Sequence, residues 1–84
     1  LTEKVSVVTE REKEWAIKAS RFIKAELKRA GVSYKELARR LNEHGLRETE
    51  DSITSKLGRG TFAVTFFLAV LTVLEMEGVR LEDL

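Results

Sequence analysis

SYKELARRLNEHGLRETEDSITSKLGRG, residues 33–60, decides the reading of this chain. Ser33-x-x-Glu36 has the form of a capping box, in which a hydroxyl and a carboxylate satisfy free N–H groups at a helix start. Val32 is placed to staple against Leu37, and Leu37, Ala38 and Leu41 form one apolar stripe. Lys35, Arg39 and Arg40 fall on the other side. Gly45 ends this helix, with His44 where a cation favours a helix C-terminus. A further helix is predicted from Thr49 to about Leu57, anchored by Ile53 and Leu57 four residues apart. Glu48, Glu50 and Asp51 suit its positive end, and Glu50, Asp51, Ser52, Thr54, Ser55 and Lys56 are read as its outward residues. Gly58-Arg59-Gly60 reads as a tight turn. The segment is therefore two helices joined by a glycine-bearing connection.

The flanking sequence supplies more helices. Thr9-x-x-Glu12 is a second capping box. Trp15, Ala16, Ala19, Phe22, Ile23, Leu27 and Ala30 then recur at spacings of three and four, which puts them on one face. Trp15 and Phe22 are read as core, and Gly31 as a left-handed cap. Beyond the central segment, Thr61 is expected to cap a helix over 62–74 that is apolar nearly all round, with only Thr65 and Thr72 polar. Thirteen residues of helix span roughly 20 Å against the ~30 Å of a bilayer core, so this is a central helix and no membrane is expected. It carries more apolar surface than one side of a small bundle covers, and the surplus predicts a self-association face. Gly78 breaks the chain, after which Val79, Leu81 and Leu84 are expected to fold back on the core.

With 84 residues, 43% of them hydrophobic, and no proline, the chain supports one all-α domain, a bundle of four to five helices over residues 9–84. Residues 1–8 are read as an N-terminal arm, and the start at Leu1 as that of a processed or partial chain. Without cysteine, disulfides and zinc fingers are excluded, and a cytoplasmic location is expected, no signal peptide being visible. His44 is a lone histidine, so no metal and no cofactor is expected. The three acids near Glu48 have no nucleophile motif or histidine beside them, which argues against an enzyme and a small-molecule substrate. The glycine pair at 58 and 60 lacks the Lys-Ser/Thr ending of a nucleotide phosphate loop, and no strand precedes it.

Formal net charge is +1, but its distribution is polar. Residues 21–42 hold seven Lys or Arg against Glu26 and Glu36, whereas residues 61–84 hold Arg80 against four acids. A basic segment leading into paired helices fits a helix-turn-helix whose second helix lies in the major groove of DNA. Ser52, Thr54, Ser55 and Lys56 are the candidate base contacts. Tyr34, Lys35, Arg39, Arg59 and the N–H groups at Phe62 are the candidate phosphate contacts. The alternative is a helical protein-interaction or dimerisation module that does not bind DNA, with the acids of the third helix meeting a basic partner.

Ser33-Tyr-Lys-Glu-Leu-Ala38, Asp51-Ser-Ile-Thr-Ser-Lys-Leu-Gly-Arg-Gly60 and Gly78-Val-Arg-Leu-Glu-Asp-Leu84 together resemble the phage-repressor-like helix-turn-helix superfamily. Lys24-Ala-Glu-Leu-Lys-Arg-Ala-Gly-Val-Ser-Tyr34 and Gly58-Arg-Gly-Thr-Phe62, with Phe66-Phe-Leu68, are more similar still to a family of short bacterial proteins classed as a domain of unknown function. The repressor-like resemblance implies five short helices, a homodimer, double-stranded DNA as partner and a transcription regulator. The chain departs from it at Asn42, where that superfamily has glycine. Either the second helix is longer or the turn wider.

Overall fold

The computed structural model describes residues 10–84, so the expected arm and the Thr9 cap lie outside the described residues. The architecture is all-helical: α1 Glu10–Ala30, α2 Tyr34–Glu43, α3 Glu50–Arg59 and α4 Val64–Val73, then one 3-10 turn, Leu81–Asp83. No strand occurs among the described residues. α3 packs on both α1 and α2, and α2 also packs on α4. Ile23, Leu37, Leu41, Ile53, Leu57 and Val70 are the largest fully buried side chains, and every α-helix contributes to them.

The helix ends follow from local chemistry. Gly31 is left-handed at φ 70°, and the Val32 N–H closes on the Leu27 carbonyl. Ser33 caps α2 by accepting from the Glu36 N–H at 3.0 Å. The Glu36 carboxylate turns instead to Arg39 and Arg40, so only half of the expected capping box forms. α2 continues through Asn42 to Glu43 and Gly45 takes φ 91°, so the helix is the longer one. The Asn42 amide bridges the carbonyls of Ala38 and Glu48, at 2.6 and 2.8 Å, and so ties α2 to the approach of α3.

Several expectations are corrected. α3 extends through Gly58 and Arg59, and Gly60 alone is its left-handed cap, so residues 58–60 are not a free-standing turn. Thr61 caps nothing. α4 starts at Val64 with Ala63 as N-cap and no side-chain cap, after a bend of 118° from α3. Trp15 is 58% exposed, because α1 overhangs the bundle: Ala16, one residue on, meets Gly60, where the chain leaves α3. The Lys18 ammonium covers the Trp15 ring at 4.8 Å. Leu84 and Val79 rest against the core as expected, but Leu81 is exposed. Among the described residues no single helix is long and apolar enough to cross a membrane.

Candidate functional site

α3 has two unlike sides. Ile53 and Leu57 are buried, four residues apart. Thr49 caps the helix in a reciprocal box whose second member is Ser52: the Ser52 N–H donates to Thr49 Oγ1 at 3.0 Å, and the Thr49 N–H donates to Ser52 Oγ at 2.8 Å. The Ser52 hydroxyl in turn donates to the Glu48 carboxylate at 2.6 Å. Glu48 is buried, and the Lys56 ammonium, one turn beyond Ser52, forms its ion pair. The same ammonium lies 4.8 Å from the centre of the Phe66 ring on α4. A buried carboxylate needs such partners, since an unpaired charge is costly away from water. Ser52 and Lys56, expected to face outward, are therefore turned toward Glu48 and half-buried.

The other side of α3 exposes Glu50, Asp51, Thr54, Ser55, Gly58 and Arg59. Thr54 donates to the Glu50 carbonyl at 2.9 Å, a bond along its own helix that leaves the methyl and an oxygen lone pair outward. Arg59 donates to Ser55 Oγ at 2.6 Å and makes no ion pair among the described residues. Thr54, Ser55 and Arg59 are thus brought together on one exposed face.

The α2 candidates sit apart from it. Tyr34 opens α2 half-buried, and Lys35 is exposed with no ion pair among the described residues. Arg39 is held between Glu36 and Glu43, each at 2.7 Å. The hydrogen bonds from Arg39, then from Arg40, hold the Glu36 carboxyl down at about 2, and the Glu36 carboxylate in turn raises the Arg39 guanidinium above its ordinary value. Arg40 also reaches the Val73 carbonyl at 3.4 Å, across to the end of α4. Phe62 lies before α4, not in its first turn. Its ring packs on Phe66 and Phe67 with centroids 5.3 and 6.4 Å apart. The uncapped α4 terminus therefore begins two residues later, at Val64, because the Phe66 and Phe67 N–H groups already close on the Ala63 carbonyl.

Sequence reasoning missed two groups. Arg21 and Lys24 of α1 line the same groove as Arg59, together with Gly58 and Gly60. Ser20 is buried on α1 and its hydroxyl donates to the Leu57 carbonyl near the end of α3. The basic count of residues 21–42 contained Arg21 and Lys24, but only the packing of α1 on α3 places them beside Arg59.

The chain matches the family model described as Domain of unknown function (DUF6471) over residues 15–79, and it belongs to that family. No curated protein and no solved structure matches it significantly.

Proposed function

We propose that this DUF6471 chain is a sequence-specific DNA-binding module of the repressor-like helix-turn-helix type, cytoplasmic, and built to regulate transcription, with α3 as its recognition helix. The observation that carries the reading is the two-sidedness of α3. One side is fixed to the core by Ile53 and Leu57 and to Glu48 by Ser52 and Lys56. The other presents Thr54, Ser55 and Arg59 without bulky apolar groups. A major groove about 12 Å wide admits such a helix, and hydroxyls with a guanidinium suit base edges and phosphates. Glu50 and Asp51 repel phosphate, so the C-terminal half of α3 lies closest to the backbone. Ser52 and Lys56 then orient α3, while Thr54 and Ser55 meet bases. Of the phosphate candidates, Lys35 and Arg59 are exposed and make no ion pair among the described residues, whereas Arg39 is neutralised by its two glutamates.

The module acts as a homodimer in this reading. α4 carries no charged residue, and Val64 and Leu68 are 67% and 54% exposed on it. The protein-interaction alternative keeps one observation in its favour: α3 exposes Glu50 and Asp51, while Arg39 is paired with Glu36 and Glu43.

Binding of unselected and selected duplexes at two salt concentrations tests the proposal. Arg59→Ala is expected to weaken binding to all sequences alike and to reduce the salt slope by about one. Ser55→Ala is expected to change which sequence is preferred. A protein without measurable duplex affinity at low salt, or an Arg59→Ala variant with lower Tm and unchanged affinity, overturns it.

A further inference from the structure

α1 and the end of α3 enclose an open groove of about 340 Å³. Its walls include Arg21 and Lys24 from α1 and Gly58, Arg59 and Gly60 from the end of α3, with Ile17 beside them; among the described residues no acid lines it. Among the described residues Arg21 and Lys24 form no ion pair, and the Arg59 side chain bonds only to the neutral Ser55 hydroxyl. By contrast, Arg29, Arg39, Arg40, Lys56 and Arg80 are each paired with a carboxylate. Three unneutralised cations thus face one concave surface.

The simplest internal use of those cations is to offset the negative end of α3. A helix end is equivalent to roughly half an elementary charge. Three cations exceed that several-fold, and Ser20 already satisfies the Leu57 carbonyl there. Gly58 adds a second argument. It lies within α3, where glycine is a poor helix former compared with alanine. A Cβ at Gly58 would meet nothing within 4 Å beyond its chain neighbours and its own helix backbone, so packing against the rest of the protein does not require glycine. What its absence leaves is bare helical backbone on the wall of a cationic groove, open to close approach from outside.

We propose that this groove is a phosphate-binding site, with Arg21 and Lys24 of α1 acting across from Arg59, and that it holds the sugar–phosphate backbone of the bound duplex. The source of the phosphate rests on the DNA-binding reading above; the site itself rests on the groove. It makes α1, not only α2 and α3, part of the binding surface. It also places the backbone at the C-terminal end of α3, away from Glu50 and Asp51.

The experiment compares wild type, the exposed double variant Arg21→Gln/Lys24→Gln, and Gly58→Ala. Each is measured for duplex binding at a series of salt concentrations, for Tm, and by amide NMR during titration with inorganic pyrophosphate. The double variant is expected to keep the sequence preference and to lose about two from the salt slope. Gly58→Ala is expected to raise Tm and yet to weaken duplex binding. Pyrophosphate is expected to shift the Gly58 and Gly60 amides of wild type and not those of the double variant. If the duplex binds, Arg59→Ala weakens it, and the double variant keeps the full slope, the groove is overturned and the DNA reading stands. If no duplex binds but pyrophosphate shifts those amides, the groove takes free phosphates, and both the backbone assignment and the DNA reading fall. If the double variant only lowers Tm and neither probe responds, the cations serve α3 alone and the proposal is wrong.

Discussion

Gly60 joins two constraints at one residue. Its φ of 73° is left-handed, and a Cβ there would stand 2.5 Å from the Ala16 carbonyl oxygen of α1. That neighbour is backbone, which cannot swing aside. Gly60→Ala therefore combines left-handed strain with overpacking, and a loss of about 3 kcal/mol is expected in urea denaturation. Lys56 supports a second prediction. Its removal leaves the Glu48 carboxylate buried with Ser52 as its remaining side-chain donor. Lys56→Ala should cost about 2 kcal/mol, and adding Glu48→Ala should recover part of that, a coupling that a double-mutant cycle measures directly. Simple additivity of the two losses would show that the pair is worth nothing. Both residues illustrate what could be read beforehand. The φ of Gly60 follows from its place beside Arg59 at the end of a helix, a local matter. Its contact with Ala16 depends on a helix distant in sequence, whereas Glu48 is held by Ser52 and Lys56 of the helix it leads into.

Among the elements, α2 and α3 were the most legible, because their starts are written within four residues. Ser33 and Thr49 both cap as their hydroxyls predict. The partner in the Thr49 box is Ser52 at the third position, which a search for Glu or Gln passes over. The start of α4 lies past Thr61, although Thr61 is a good cap by type: residues 61–63 are non-helical, with Ala63 extended as the N-cap, where the chain bends by 118° between α3 and α4. Ser20 escapes a sequence reading for the opposite reason: nothing local marks a serine whose partner is 37 positions away. α2 has its own testable property. Glu36 accepts from both Arg39 and Arg40, and its carboxyl titrates at about 2 in the fold, against an ordinary value of 4.5. A depressed acid stabilises the fold above its unfolded value and loses that contribution as pH falls from about 4.5 through about 2. Wild type should therefore lose more stability between pH 5 and pH 2 than Glu36→Gln does, as read from Tm across that range. Parallel profiles for the two proteins would show that the arginines do not hold the carboxylate in solution.

Over the whole molecule, the apolar side chains of α4 divide in a way the sequence could not specify. The core takes Phe66, Val70 and Val73, and Phe67, Leu71 and Leu74 rest partly against it. Val64 and Leu68, one turn apart, are left to water. The near-continuous apolar run indicated a surplus, but only the packing of α2 on α4 shows which residues make it. A face without charge offers nothing to pair with a charged partner, and a second copy of α4 matches it in kind. An isologous contact of this sort would relate two α3 helices by a two-fold axis, and the DNA site would then be a palindrome with half-sites about one helical turn apart. Val64→Lys with Leu68→Lys changes only exposed positions, so Tm at low concentration should hold within a few degrees. Wild type is expected to sediment as a dimer at micromolar concentration, and the double variant as a monomer with weaker, non-cooperative binding to a palindromic duplex. Wild type that remains monomeric well above that concentration would remove the two-fold axis and leave each chain to bind a single half-site.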